Sequence, residues 1–539
     1  LLVPWIDSLE DPSLPTVEAR GLRPIWRFDF ADPSIARTAR GHRMVFSEGV
    51  GFVTNGVEVA AIRLGDGHVL WNFEGPPGWD QISLGEFDEI TGGESDDFLT
   101  IPVLEDGVLL VVLREAFGVG RKDTFDRRRN NWRSIDVRRK LPARRLYAFD
   151  AESGRLLWRT EPAWLENRDT EPRGLTSAPP AAAHGRVFLP LYDAVGTIDL
   201  SMQAYDLYTG EKLWRTFLVS GQQETNLFGN ILRELSSQPP VADDDHVYFS
   251  TNLGAVVCLE ADTGRTVWTR RYPRSAVRTF QTGMESVRDE TFANTPMAAG
   301  KNRLVLAPAD SEAAFVLRQE DGALLAEWPY ASRSYGELRT LIGVTDKGAW
   351  FHGTHLAFLP FPGSGASLRV SEQLFTPNGT APTRYGGALA RGEILAPSLG
   401  TVQILDAQQL RPRGRLKGVG TRGLELGPLQ VAPGLAFIIR PGGITAFSSP
   451  DAILKSLAGS NWDSEAVERL LPYLESVDLS DPVTARKVAD RARDLANSAP
   501  TPELKERLAM VAARGSFVAG QGQEALALLR PLLNSTTEA

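Results

Sequence analysis

His352-Gly-Thr-His355 is the nearest approach to a metal-ligand pair in this 539-residue chain. Imidazole nitrogens bind zinc, but a site needs further ligands, and on an extended segment this spacing turns the two rings to opposite faces. The pair therefore reads as a strand and its loop. Asp243-Asp-Asp-His246 sets carboxylates beside an imidazole, yet Asp is a common turn former and the run lies between two strand patterns. Glu94-Ser-Asp96-Asp97 offers oxygens to calcium without the spacing of an EF-hand loop. No Gly-x-Ser-x-Gly elbow and no strand–loop–helix phosphate cradle occurs. Cys258 is the only cysteine, which excludes an intrachain disulfide and a cysteine metal cluster. No residue is assigned a catalytic, cofactor-binding or metal-binding role.

What recurs instead is a strand, a tight turn and a strand ending in tryptophan. The clearest copies are Ala148-Phe-Asp-Ala-Glu-Ser-Gly154-Arg-Leu-Leu-Trp158, Ala204-Tyr-Asp-Leu-Tyr-Thr-Gly210-Glu-Lys-Leu-Trp214 and Cys258-Leu-Glu-Ala-Asp-Thr-Gly264-Arg-Thr-Val-Trp268. Ala61 to Trp71 keeps the same spacing around Gly67. A fixed internal spacing marks a repeat fold, whose residues are spent on stacking against neighbours. Gly in each turn supplies the positive φ of a tight hairpin without steric cost. Strand-length pieces, four to a unit, compose the blade of a propeller.

Units fall near 42–74, 99–162, 176–218, 236–272, 293–330, 339–375, 385–417 and 424–448. The pattern decays along the chain: Trp328 comes two residues late after Gly322, and Gln403-Ile-Leu-Asp406 leads to no Trp. Eight blades are expected, with seven as the alternative because the sixth and seventh units are faint. The last unit lacks an outer strand, and Pro24-Ile-Trp26-Arg-Phe-Asp-Phe30 reads as that strand. Closing the ring this way removes an exposed sheet edge. Trp26, Trp71, Trp158, Trp214, Trp268 and Trp328 are the expected blade-docking residues.

The pattern Ala-x-Asp-x-x-Thr-Gly-x-x-x-Trp resembles the repeat of the pyrroloquinoline-quinone (PQQ) type propellers. These include the quinoprotein alcohol dehydrogenases and the outer-membrane assembly lipoprotein BamB. The resemblance covers roughly residues 24–449 and specifies fold far better than function. The alcohol-oxidising members carry adjacent cysteines in a ring disulfide over the cofactor, and a metal site of Glu, Asn and Asp with an Asp base. One cysteine cannot form that disulfide, and no segment matches the metal and base positions.

After Asp451 the pattern turns helical. Asp463–Leu474, Asp481–Ala489, Thr501–Leu508 and Gln523–Arg530 form four segments, with Asp481-Pro482 and Thr501-Pro502 as cap and first turn. Ala512–Leu533 resembles half of a tetratricopeptide repeat, a type of array that binds other proteins. The domain reading is an N-terminal extension over 1–23, a propeller over 24–449 with a basic insertion at 114–145, and a helical region over 450–539. The first residue is not Met, and the start reads as a processed or truncated end; the helical array has room to continue past Ala539.

The insertion holds Arg121, Lys122, Arg127, Arg128, Arg129, Arg133, Arg138, Arg139, Lys140, Arg144 and Arg145 against only Asp123, Asp126 and Asp136, in a chain of net charge −9. Residues 75–100 are the reverse, with seven carboxylates and no Lys or Arg. One reading is a solvated loop partly neutralised by its acidic neighbour; the other is a docking arm for an acidic protein or an anionic lipid surface. The chain's acidic balance and the absence of a binding motif weigh against nucleic acid. No apolar run is long enough to span a bilayer. The expectation is a cofactor-free interaction scaffold, with other protein subunits as partners, in a bacterial, envelope-associated or periplasmic assembly; the cytoplasm stays open. The alternatives are the sensing region of a longer signalling protein and a PQQ-dependent dehydrogenase.

Overall fold

The computed structural model of the chain describes residues 5–17, 22–31, 43–79, 99, 101–119, 141–160, 174–195, 197–222, 235–279, 286–288, 290–374, 386–398, 401–416, 428–440, 442–449, 471, 474, 482–497, 499 and 501–535. The propeller has eight blades, each built on four antiparallel strands. Blade one runs through Val45–Ser47, Val50–Thr54, Val59–Arg63 and Val69–Phe73. Blade two runs through Val103–Glu105, Val108–Val119, Leu141–Asp150 and Leu156–Arg159. Blades three, four and five end in outer strands Lys212–Gly221, Thr266–Arg271 and Leu324–Pro329. Blade six spans Gly336–Val370 and blade seven Ala388–Arg415, so the faint sixth and seventh units are complete four-stranded sheets.

Blade eight takes Leu429–Ala432, Leu435–Arg440 and Gly443–Ser448 from the end of the propeller sequence and Arg23–Asp29 from its beginning. Arg23 pairs with Ser448 and Asp29 with Gly443, so the first and last strands share one sheet. This closure ties the ends of a 420-residue ring with backbone hydrogen bonds and an ion pair, Arg440 to Asp29 at 2.6 Å. Central strands of each blade are buried on both faces, as Val108–Leu113 and Leu146–Phe149 illustrate. Their apolar side chains fill the space between successive blades, giving a ring of separate inter-blade cores.

Before its strand in blade eight, the chain lies across blades six to eight as a strap over 5–17, extended at Trp5–Ile6 and then turning twice, at 8–11 and 11–14. Trp5 and Ile6 pair in parallel with Val344 and Thr345 of blade six. Farther on, Gly392 and Arg391 of blade seven donate their amides to the Leu9 and Pro15 carbonyls, and Gly434 of blade eight donates to Thr16. Ile6, Leu9 and Leu14 enter the core between blades six and seven. Trp5→Ala is expected to cost about 2 kcal/mol, seen as faster amide exchange at Gly392 and Gly434 with blades two to four unchanged.

Among the described residues three helices with assigned ends follow the propeller: α1 (Pro482–Asn497), α2 (Pro502–Val518) and α3 (Gly522–Ser535). Thr501 caps α2 by accepting the Leu504 amide, and Pro502 occupies the first turn, where no amide is needed. The sequence segment 463–474 lies outside the described residues except for Leu471 and Leu474, which are helical and buried. Asp481 lies outside them too. Leu471, Leu474 and the inner faces of α1 and α2 form one core that reaches Ile25 of the closing strand. Gly515 is where α1 and α2 approach most closely, since a Cβ there would sit 2.7 Å from the Ala485 carbonyl. No described helix is long and apolar enough to cross a membrane.

Candidate functional site

The repeated Trp is a lock between successive blades. In each strong copy a β-bulge falls one residue before the Trp, for example between the Leu156 and Trp158 pairings, and turns the indole toward the next blade. There its ring lies on the turn glycine: a Cβ at Gly67, Gly154, Gly210, Gly264 or Gly322 would come within 2.7 Å of Trp26, Trp71, Trp158, Trp214 or Trp268 respectively. Each indole Nε1–H donates to the carbonyl three residues before that glycine. The bonds are Trp26 to Leu64 (2.9 Å), Trp71 to Ala151 (2.9 Å), Trp158 to Leu207 (2.8 Å), Trp214 to Ala261 (3.0 Å) and Trp268 to Gln319 (2.8 Å). The glycine is required twice over, by its positive φ and by the ring on top of it.

Where the repeat decays, other chemistry takes the same place. In blade five the bulge leaves Ala326 at the docking position, and Trp328 stacks on Phe361 of blade six at 6.0 Å, where Trp5 of the strap stacks as well. In blade six Arg369 substitutes for the Trp. Its guanidinium lies 4.8 Å from the Trp350 ring and donates to the Ala407 carbonyl at 3.2 Å, so a planar cation reproduces both the stacking and the hydrogen bond. Leu410 then carries the positive φ that glycine holds elsewhere. Nothing in the local sequence marks Arg369, because its role exists only against blade seven.

Of the basic insertion, Arg121, Lys122, Arg127, Arg128, Arg129, Arg133, Arg138, Arg139 and Lys140 lie outside the described residues, as do the acids of 80–97, including Glu94, Asp96 and Asp97. Arg144 and Arg145 are built into blade two. Arg144 is 7% exposed and sits across the sheet from the fully buried Arg114. The Arg145 Nε is 3.0 Å from Glu115, whose carboxylate also accepts the Tyr147 hydroxyl at 2.8 Å. Burial, and then the adjacent Glu115 charge, push the Tyr147 hydroxyl up to about 12. The root of the insertion is thus anchored by buried charge, and these two arginines are not part of any surface arm.

The candidate ligand clusters resolve as structural groups. His352 is fully buried, and its Nε2 bonds the Pro397 carbonyl of blade seven at 2.9 Å, while His355 Nδ1 bonds the Ser371 carbonyl at 3.0 Å. The two rings serve different carbonyls. Asp243 accepts the amides of Asp245 and His246 and so closes its turn. Among the described residues no three His, Cys, Asp or Glu side chains converge as a metal site.

Burial holds His352 down to about 4, against about 6.5 in the unfolded chain. The unfolded chain therefore binds the extra proton between these values, and stability falls as pH drops from about 6.5 toward about 4. The full loss is on the order of 3 kcal/mol. His352→Gln, which keeps an N–H donor, is expected to flatten that acid limb in urea titrations at successive pH values.

A polar cluster that the sequence does not reveal lies between blades four and five. Asp310 accepts the Tyr272 hydroxyl at 2.7 Å and Arg274 Nε at 2.6 Å. Asn252 donates to Asn294 at 2.6 Å and to the Ser236 carbonyl at 2.8 Å. Burial, followed by the Asp310 charge, holds the Tyr272 hydroxyl well above its ordinary range. Held by the Tyr272 hydroxyl and the Arg274 guanidinium, Asp310 pins blade five to blade four. Cys258 is buried in blade four, beside Tyr248 and Trp268, and burial raises its thiol to about 12. As the single cysteine of the sequence, Cys258 cannot form the vicinal disulfide of the alcohol-oxidising propellers that the repeat resembles.

The protein-family model described as "Outer membrane protein assembly factor BamB" matches residues 140–233 and 201–341. No curated protein matches the chain. Among solved structures, BamB from Moraxella catarrhalis aligns with a TM-score of 0.49 and 15% identity, over 79% of this chain and 99% of that one. The quinohemoprotein alcohol dehydrogenase of Comamonas testosteroni aligns with a TM-score of 0.47 and 14% identity, over 94% and 92%. The corresponding enzyme ADHIIG of Pseudomonas putida HK5 aligns with 0.45 and 12%, over 96% of each.

Proposed function

We propose that this propeller of PQQ-type, BamB-like repeats is a non-catalytic scaffold that holds other proteins in a bacterial, envelope-associated assembly. The observation that carries the reading is where the two charge-rich connections leave the ring. The acidic stretch joins Val69–Phe73 to Val103–Glu105, and the basic one joins Val108–Val119 to Leu141–Asp150. In an up-and-down blade both connections start from strand ends on the face opposite the Trp-docking turns, one between blades one and two and the other within blade two. The nine Lys and Arg of 121–140 stand against three Asp there and seven carboxylates in 75–100, so the pull on an acidic protein or an anionic lipid headgroup is that of a local basic block, not of a net positive face.

Three further observations support the reading. The repeat matches a family described by outer-membrane assembly, although what that family does is a property of its own members. The tail adds a second surface, on which Met510, Phe517 and Leu526 are exposed. The competing quinoprotein reading meets a single buried Cys258 and an Asp310 already paired with Arg274.

The test is native purification with subunit identification and absorption spectroscopy. Stable protein partners that are lost when residues 121–140 are deleted are the expected result. A stoichiometric quinone chromophore with dye-linked alcohol oxidation would overturn the scaffold, as would a partnerless monomer.

A further inference from the structure

The strap over 5–17 shows how the turns of this propeller hold a peptide by its backbone carbonyls. In blade seven the turn between the first and second strands offers two amides, Arg391 and Gly392, to strap carbonyls; in blade eight Gly434 does the same. Charge follows the contact. The strap carries Asp7, Glu10 and Asp11, and the turns beneath it carry Lys301, Lys347 and Arg391, with Lys301 2.6 Å from Asp7.

The same turn is present in blades one to three, and in blades one and two it is open. Gly392 accepts the amide of Ala407, and Gly49, Gly107 and Gly185 accept those of Leu64, Ala151 and Leu207 in the same way. A side chain placed at Gly49 or Gly107 would meet nothing within 4 Å, whereas at Gly392 it meets Glu10 of the strap at 3.6 Å. The charge is inverted on this half. Glu48, Glu105 and Asp106 stand in the turns of blades one and two, Asp243–Asp245 in that of blade four, and none of these turns contains Lys or Arg. Arg186, just past the blade-three turn, is held by Asp262 at 2.8 Å. The row is continuous: the Tyr208 hydroxyl lies 3.4 Å from Asp106, and His184 contacts Asp244. Partial burial, and after it the Asp106 charge, hold the Glu105 carboxyl above its ordinary range.

We infer that the uncovered turn face of blades one to four is a docking track for a basic segment of a partner protein. Turn amides would meet the carbonyls of that segment as they meet those of the strap, and the acidic row would meet its Lys and Arg side chains. The inference rests on the scaffold reading only in supposing a protein partner, and it concerns the face opposite the basic insertion.

The full chain is titrated with a labelled peptide alternating lysine and serine, of the strap's length, and with its glutamate counterpart, while amide exchange is followed. The lysine peptide is expected to bind and to slow exchange at 48–49, 106–107, 185 and 244 but not at 301–302 or 391–392. A Glu48→Gln, Asp106→Asn, Asp244→Asn variant with an unchanged circular dichroism spectrum should bind about tenfold more weakly. No binding, protection on another face, equal binding of the glutamate peptide or undiminished binding by the variant each overturns the track. A co-purifying partner that leaves these turns unprotected sinks the track and spares the scaffold. A partnerless chain that still binds the lysine peptide at these turns does the opposite.

Discussion

Glu115→Leu is expected to destabilise the propeller by about 3–5 kcal/mol, read as a lower urea midpoint at unchanged slope. The carboxylate is 6% exposed and faces an Arg145 side chain that is 13% exposed, so neither charge is rescued by water. Removing it leaves a buried guanidinium without this partner and the Tyr147 hydroxyl without its acceptor, two costs that fall on one small volume. Glu115→Gln keeps an acceptor for Tyr147 and loses only the charge, so it should fall between wild type and the leucine variant. A loss below about 1 kcal/mol, the level of a solvated surface pair, would show that the blade-two cluster is not buried as described. Because this pair anchors the root of the insertion, the same variant is expected to weaken any association that needs residues 121–140.

Gly264→Ala is expected to cost about 3 kcal/mol for a single added methyl group. Two terms contribute and can be separated. The backbone there has φ of +69°, which an L side chain adopts with strain, and the new Cβ would lie 2.4 Å from the Trp214 ring. In a Trp214→Ala background the clash with the ring vanishes, while the strain of about 1 kcal/mol and the approach to the Thr216 hydroxyl at 2.6 Å remain. The double-mutant cycle should therefore show a coupling of about 2 kcal/mol, although Trp214→Ala itself is costly. Additive effects would mean that ring and glycine are not in contact. The equivalent change at Gly363, where a Cβ meets nothing within 4 Å, should show only the strain.

Much of the fold was legible because the repeat is a local pattern with a local cause. Asp206 accepts the Tyr208 and Thr209 amides and Gly210 turns the chain, all within five residues, so the hairpin announces itself wherever that string occurs. The closing strand was legible for a similar reason: Trp26 keeps its place in the repeat although its sheet partners lie more than 400 residues away. Blades six and seven were faint because their junction exchanges the usual residues for Arg369 and Leu410, which do the same work with another chemistry. The strap over 5–17 left no signal at all. Its hydrogen bonds go from turn amides to its own backbone carbonyls, and carbonyls are common to every residue.

The chain's local strings are thus sufficient for the hairpins, their turns, the rhythm of blades and the caps of the tail, since each depends on residues a few positions apart. They also suffice to argue against a disulfide-bearing quinone site, because one cysteine has no partner anywhere in the sequence. Packing alone settles which charges are buried and which face the solvent. Arg144 and Arg145 read as the end of a basic run, and become interior residues only because the sheet folds them against Arg114 and Glu115. Asp310 and Arg274 are 36 positions apart and meet only where blade four abuts blade five. Burial and pairing are properties of surfaces brought together by closing the ring, and no stretch of sequence contains both surfaces.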